Sequence, residues 1–149
     1  MPSSSITTLG LSPADLAIDA NGNVYETGGG NTIGVVTGGV LTTTLTAPAG
    51  TQFRGLAASA SQLFACEFLA SSNNIYIYTL PLTAAATPAV TINLGTEGPE
   101  GCALDASGNL YVGAIGGHIL VFSPPFSNSS VPTLTLTTPA IIFGIAIGK

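Results

Sequence analysis

Short runs of alternating apolar and polar residues follow one another along the chain, each closed by Gly, Pro, Asn, Asp or Ser. A period of two marks half-buried strands, and the Thr, Val, Ile and Tyr content of the runs favours the same reading. Leu16–Asp19, Asn23–Thr27, Thr32–Thr37 and Val40–Thr46 are predicted as four successive strands, a to d. The pattern returns at Gly55–Ser59, Leu63–Phe68, Asn74–Leu80 and Ala89–Leu94. It returns again at Gly101–Asp105, Asn109–Gly113, His118–Ser123 and Thr133–Thr137. Two of the a–b connections, Asp19-Ala-Asn-Gly22-Asn and Asp105-Ala-Ser-Gly108-Asn, carry the glycine that a tight hairpin needs for positive φ. Asp19 and Asp105 open those turns, where a carboxylate accepts backbone N–H groups two residues on. Leu80-Pro81-Leu82 and Ser123-Pro124-Pro125-Phe126 fall between c and d, at an outer edge that tolerates a missing donor.

The strand groups coincide with an internal repeat. Residues 13–25 (PADLAIDANGNVY) and 99–111 (PEGCALDASGNLY) share Pro, Ala, Asp, Ala, Gly, Asn and Tyr in register. A weaker copy, FRGLAASASQLF, lies at 53–64, with Ser59 in place of the Asp and no Gly in its turn. A further start, FGIAIG, occupies 143–148. The chain therefore divides, as a single domain over 1–149, into units at approximately 10–47, 48–95 and 96–138 with a partial fourth start at 139–149. Four short antiparallel strands in roughly 40–46 residues, repeated, is the signature of a propeller blade. One such sheet cannot bury both faces alone, so neighbours stack around an axis. A β-sandwich, the other all-β solution, does not call for a repeat of this length.

The pattern P-x-G/L-x-A-x-D-x-x-G-N-x-Y is similar to the NHL repeat and resembles blades of SMP-30/gluconolactonase-type six-bladed propellers. The resemblance covers most of the chain, in two good copies and one degenerate one. It implies an all-β propeller. In the gluconolactonase type it further implies a calcium or zinc ion held by acidic and Asn side chains in the central channel, with Glu100 and Glu67 standing nearest to the required places.

Ser4–Leu9 reads as an extra strand d and Ile141–Gly148 as an extra strand a. Three blades cannot close a ring. Either a second copy completes it, giving a six-bladed homodimer of the common two-fold kind, or the chain is a piece of a longer propeller.

Composition narrows the function classes. Only 6% of residues are charged, the net charge is −5, and Arg54 and Lys149 are the only Lys or Arg. That balance disfavours nucleic acid and an anionic membrane surface. The apolar stretch at 140–148 is too short for a membrane-spanning helix, and no charged, then apolar, leader pattern opens the sequence. The Ser/Thr-rich, Lys-poor composition points to an extracellular or periplasmic setting. Cys66 and Cys102 read as buried thiols or as a single bridge between units; no CxxC is present to hold a metal. No motif calls for a cofactor.

In a propeller the d–a and b–c loops open at one end of the channel. Asp15, Arg54, Glu97 and Glu100 fall at the start of strand a, Glu26 and Glu67 near the end of b, and His118 at the start of c. All are expected at that end, while Asp19 and Asp105 lie at the other. One reading makes Asp15, Glu26, Arg54, Glu67, Glu100 and His118 a polar, acidic mouth that takes a ligand. The other treats them as charges kept where a soluble protein keeps them. DANGNV is no EF-hand loop, since Val24 stands where that loop needs Gly. No G-x-S-x-G elbow or HExxH occurs. Asn128-Ser129-Ser130 fits a glycosylation acceptor, and Tyr25, Tyr76, Tyr78 and Tyr111 are expected to pack between blades. The leading expectation is a non-catalytic binding or structural module, with a metal-dependent sugar-lactone hydrolase as the alternative.

Overall fold

A computed structural model describes residues 14–69 and 72–148, which form twelve strands and no helix. The first sheet runs in chain order through β1 (Asp15–Ile18), β2 (Val24–Thr27), β3 (Thr32–Thr37) and β4 (Val40–Thr46). The second comprises β5 (Phe53–Ala58), β6 (Gln62–Phe68), β7 (Asn73–Thr79) and β8 (Val90–Asn93). The third comprises β9 (Pro99–Leu104), β10 (Leu110–Ala114), β11 (His118–Phe122) and β12 (Leu134–Thr137). All pairings are antiparallel. These are the three four-stranded blades that the repeat predicts. The expected strand at Ser4–Leu9 lies outside the described residues.

Many boundaries shift by one residue from expectation, and two shift by two residues for one reason. β5 and β9 begin at Phe53 and Pro99, ahead of the predicted glycine starts, because a register shift at Phe53/Gly55 and another at Gly113/Ala114 let pairing continue. An extra residue at a bulge leaves no trace in a period-two pattern.

The sheets stack through their first strands, β1 against β5 and β5 against β9. Alternation decides which side chains meet. Ala17, Tyr25, Ile33, Val35 and Leu45 of the first sheet pack with Phe53, Leu56, Leu63, Ala65 and Tyr78 of the second. On the other face of the second sheet, Ala57, Phe64, Cys66, Ile75, Ile77 and Ile92 meet Cys102, Leu110, Val112, Leu120 and Phe122 of the third. The middle blade is thus apolar on both faces, as a stacked blade must be. Cys66 and Cys102 belong to the second interface as free, buried thiols.

Residues 139–148 follow the third sheet without forming a strand. Gly144 nevertheless approaches Gly101 as Gly101 approaches Gly55, since a Cβ built on Gly101 would sit 3.1 Å from the Gly144 Cα. The segment expected to start a fourth unit thus lies where a fourth inner strand belongs. It has no strand b beside it, among the described residues, to complete a ladder. The three sheets do not close into a ring, and no helix among the described residues is long and apolar enough to cross a membrane.

Candidate functional site

The two full copies of the repeat build the same turn. The Asp19 carboxylate accepts from the backbone N–H of Asn21 (2.8 Å) and Asn23 (2.9 Å), from Asn23 Nδ2 (2.8 Å) and from the Tyr25 hydroxyl (2.9 Å). Asp105 repeats the set with Ser107 N (2.9 Å), Asn109 N (2.9 Å), Asn109 Nδ2 (2.8 Å) and the Tyr111 hydroxyl (3.4 Å). Gly22 and Gly108, both at φ +81°, make the reversal. Burial alone would push the Asp19 carboxyl up, but hydrogen bonds from Asn23, Tyr25 and Asn21 outweigh it and hold the group below its ordinary value. Asp105 is also held low, chiefly by Asn109. Every letter of D-x-x-G-N-x-Y that the two copies share has a structural task here, so the motif builds a hairpin and leaves little of its carboxylate for a ligand. At the degenerate copy, Ser59 Oγ accepts from Gln62 N at 3.0 Å and from Ser61 N at 3.3 Å, a weaker version of the same device.

At the opposite end, where the first strands begin, a cavity of about 280 Å³ opens along the stacking axis. Asp15, Arg54 and Glu100 line it, together with Phe143 and the backbone of Gly101, Cys102 and Gly144. Asp15 occupies the register position that is Gly55 in the second blade and Gly101 in the third. Its side chain uses the space that a glycine leaves, crossing to the neighbouring sheet so that Oδ2 accepts from Leu56 N at 2.7 Å. Burial raises the Asp15 carboxyl above its ordinary value, against the pull of the Leu56 and Leu16 N–H groups. Arg54 lays its guanidinium over the Phe68 ring, 6.0 Å from the centroid, and its buried Nε has no hydrogen-bond partner.

The remaining residues expected at this mouth do not line the cavity. Glu67 is buried within the blade stack, where its carboxylate accepts from Asn74 Nδ2 at 2.6 Å and from the Tyr76 hydroxyl at 2.9 Å. The alternation of β6 places Glu67 on the face of Leu63 and Ala65, which turns toward the first sheet. Glu26, opposite Leu16 on β2, is likewise buried. His118 is drawn to Glu97, with Nδ1 3.0 Å from both carboxylate oxygens, linking the β8–β9 connection to β11. Glu97 thus acts as the partner of His118, a pairing invisible in sequence because 21 residues separate the two.

These positions bear on the ion that the gluconolactonase resemblance implies. Its two nearest candidates, Glu67 and Glu100, are not brought together: one is consumed by Asn74 and Tyr76, the other faces the axial cavity. No group of three or more His, Cys, Asp or Glu among the described residues is arranged to hold a metal. The donor set does not fit that ion.

Comparison with known proteins agrees at the level of fold. Residues 87–122 match the family model of strictosidine synthase-like proteins, N-terminal part, a stretch that contains β8 to β11. No curated protein matches the chain. Among solved structures it is similar to a chain of the COPII outer coat vertex on membranes, with a TM-score of 0.70 and 14% identity over 95% of this chain and 39% of that one. It is also similar to Myxococcus xanthus glutaminyl cyclase (TM-score 0.66, 12% identity, 89% of this chain and 53% of that one). A protein of unknown function from Bacteroides caccae gives a TM-score of 0.63 at 10% identity, over 93% of this chain and 50% of that one. The chain spans about half or less of the length of each of these. At such identities the likeness is one of fold alone, and that fold is a partial β-propeller built from blades of the kind the repeat resembles.

Proposed function

We propose that this chain is a non-catalytic propeller module that assembles through its open sheet faces, with the axial cavity as its ligand mouth. The observation that carries the reading is a contrast between equivalent residues. Leu56 faces the preceding blade and is 3% exposed; Leu16, at the same position in the first blade, is 52% exposed. Ile18 beside it is 64% exposed. On the far side of the stack, Leu134 and Leu136 lie opposite Val121 and Ile119 on the outward face of the third sheet and are also exposed. Apolar side chains on faces built to stack, left exposed at both ends although residues 139–148 cover part of the third sheet, favour completion by another copy, and a two-fold pair of three-bladed chains supplies six blades.

The non-catalytic reading draws support from the site. His118 is engaged by Glu97 and does not line the axial cavity, and the carboxylates nearest to a lactonase ion are separated. The mouth itself offers one cation, Arg54, between Asp15 and Glu100, a mixed polar surface suited to holding a small polar ligand. The Ser/Thr-rich, Lys-poor composition supports a setting outside the cytoplasm.

Light scattering on the full chain tests the assembly. A mass of twice 14.8 kDa is expected, falling to that of one chain in Leu16→Glu. A monomer at every concentration would overturn self-association.

A further inference from the structure

A second cavity, of about 480 Å³, lies between the outer parts of the first and second sheets, apart from the axial mouth. Its walls come from three places: Leu45 on β4 with Pro48 after it, Tyr76 and Tyr78 on β7, and Ala85 on the β7–β8 connection. No Asp, Glu, Lys, Arg or His lines it. Sites for small molecules run from roughly 300 to 1,000 Å³ and are mostly apolar, with a few polar groups that fix orientation.

The cavity's polar side chains all carry hydroxyls, those of Thr46, Thr51, Thr87 and Thr91 at the wall and those of the two tyrosines, of which Tyr78 is the one beside an aromatic ring and uncommitted. Its neighbour Tyr76 is committed, donating to Glu67 Oε2 at 2.9 Å. Tyr78 is 3% exposed and its ring lies 6.5 Å from that of Tyr76, tilted by 46°. Its hydroxyl makes no hydrogen bond to any described residue. A tyrosine hydroxyl without a protein partner is open to an acceptor that a ligand brings. Burial pushes its ionisation well above the ordinary tyrosine value, so the phenol keeps its proton and acts as a donor.

We propose that this cavity binds an uncharged, flat, largely apolar molecule whose carbonyl or ether oxygen accepts a hydrogen bond from Tyr78. Each part of that description has a cause in the walls. A charged ligand would shed its hydration with no opposite charge to meet. Two adjacent phenol rings offer stacking and edge contacts to a planar partner. The Tyr78 hydroxyl, which lies on the wall beside the second ring and has no protein partner, calls for an acceptor oxygen on that planar partner. This site is independent of the axial mouth and of self-association.

The probes are coumarin, which has the acceptor, naphthalene, which lacks it, and benzoate, which is charged. Binding to the full chain is followed by saturation-transfer NMR and by titration. Coumarin is expected to bind saturably and benzoate about tenfold more weakly or not at all. Tyr78→Phe should weaken coumarin about fivefold and leave naphthalene unchanged. Ala85→Trp, a change at an exposed wall position, should abolish both by filling the space. The proposal is overturned by unsaturable coumarin binding, by benzoate binding as well as coumarin, by Tyr78→Phe affecting both neutral probes alike, or by binding that survives Ala85→Trp.

Discussion

Gly55 rests against Gly101 with no room for a side chain between them: a Cβ added at Gly55 would lie 2.7 Å from the Gly101 Cα and 3.0 Å from Cys102 N. Both atoms are backbone, so the clash can be relieved only by moving β9 away from β5. Gly55→Ala should therefore destabilise by about 1–3 kcal/mol, read as a lower denaturant midpoint at unchanged slope. Gly144→Ala is the control, because nothing lies within 4 Å of its added Cβ. Equal losses in the two variants would show that the blade contact at Gly55 does not set the effect, since the backbone-entropy effect of exchanging glycine for alanine is stabilising.

The Asp19 turn should carry a pH signature. Its carboxyl, like that of Asp105, sits below its ordinary value when folded. A depressed folded value means that the stabilisation is present above the unfolded value and is lost as pH falls through the folded one. Melting temperature should accordingly drop as the solution becomes more acidic than the ordinary carboxylate range. Asp19→Ala leaves four donors without their acceptor and should cost at least about 1 kcal/mol at neutral pH, with the penalty shrinking in acid. A penalty that stays constant with pH would refute the assignment.

Asp15 should behave in the opposite sense. Its folded value is raised, chiefly by burial, so the folded state holds its proton to higher pH than the unfolded state does. Stability then falls as pH rises from the unfolded value through the folded one, and the ionised group counts against folding at neutral pH. Asp15→Asn keeps an oxygen for Leu56 N while removing the charge. The variant should melt higher than the parent at neutral pH and level with it in acid. A lower melting temperature at neutral pH would mean that the charge itself holds the first two blades together.

The contrast between the two aspartates marks what could be read from the residues alone. Asp19 belongs to a local device: turn, glycine and tyrosine all lie within six positions, and the repeat displays them twice. The strands were legible for the same reason, since alternation is a short-range property. Asp15 acts on Leu56, 41 residues away, across a stacking step that no spacing rule encodes. A place near the end of a strand b predicts Glu67 at the mouth, but the parity of β6 carries it inside the stack, to Asn74 and Tyr76. His118 found Glu97 for a similar reason. Position along a blade fixes which end a residue approaches; the face it takes depends on register, and register is set by pairing with other strands.

The two cysteines give the last test. Cys66 and Cys102 are fully or nearly buried, 0% and 6% exposed, in the interface between the second and third blades. A hydrogen bond donated by the Cys102 thiol to Cys66, together with burial, pushes that thiol well above its ordinary value. Reactivity toward disulfide reagents and alkylators requires thiolate and access; burial withholds access to both sulfurs, and the raised Cys102 thiol withholds thiolate as well. Native protein should therefore show no labelling by a chromogenic disulfide reagent at mildly alkaline pH, and two equivalents once unfolded in denaturant. The labelling rate should track the fraction unfolded across a denaturant series, because opening the interface between β6 and β9 is what exposes the sulfurs. Rapid labelling of one equivalent in native buffer would show that the second and third blades separate without global unfolding, and the stacked interface would then be weaker than its apolar residues imply.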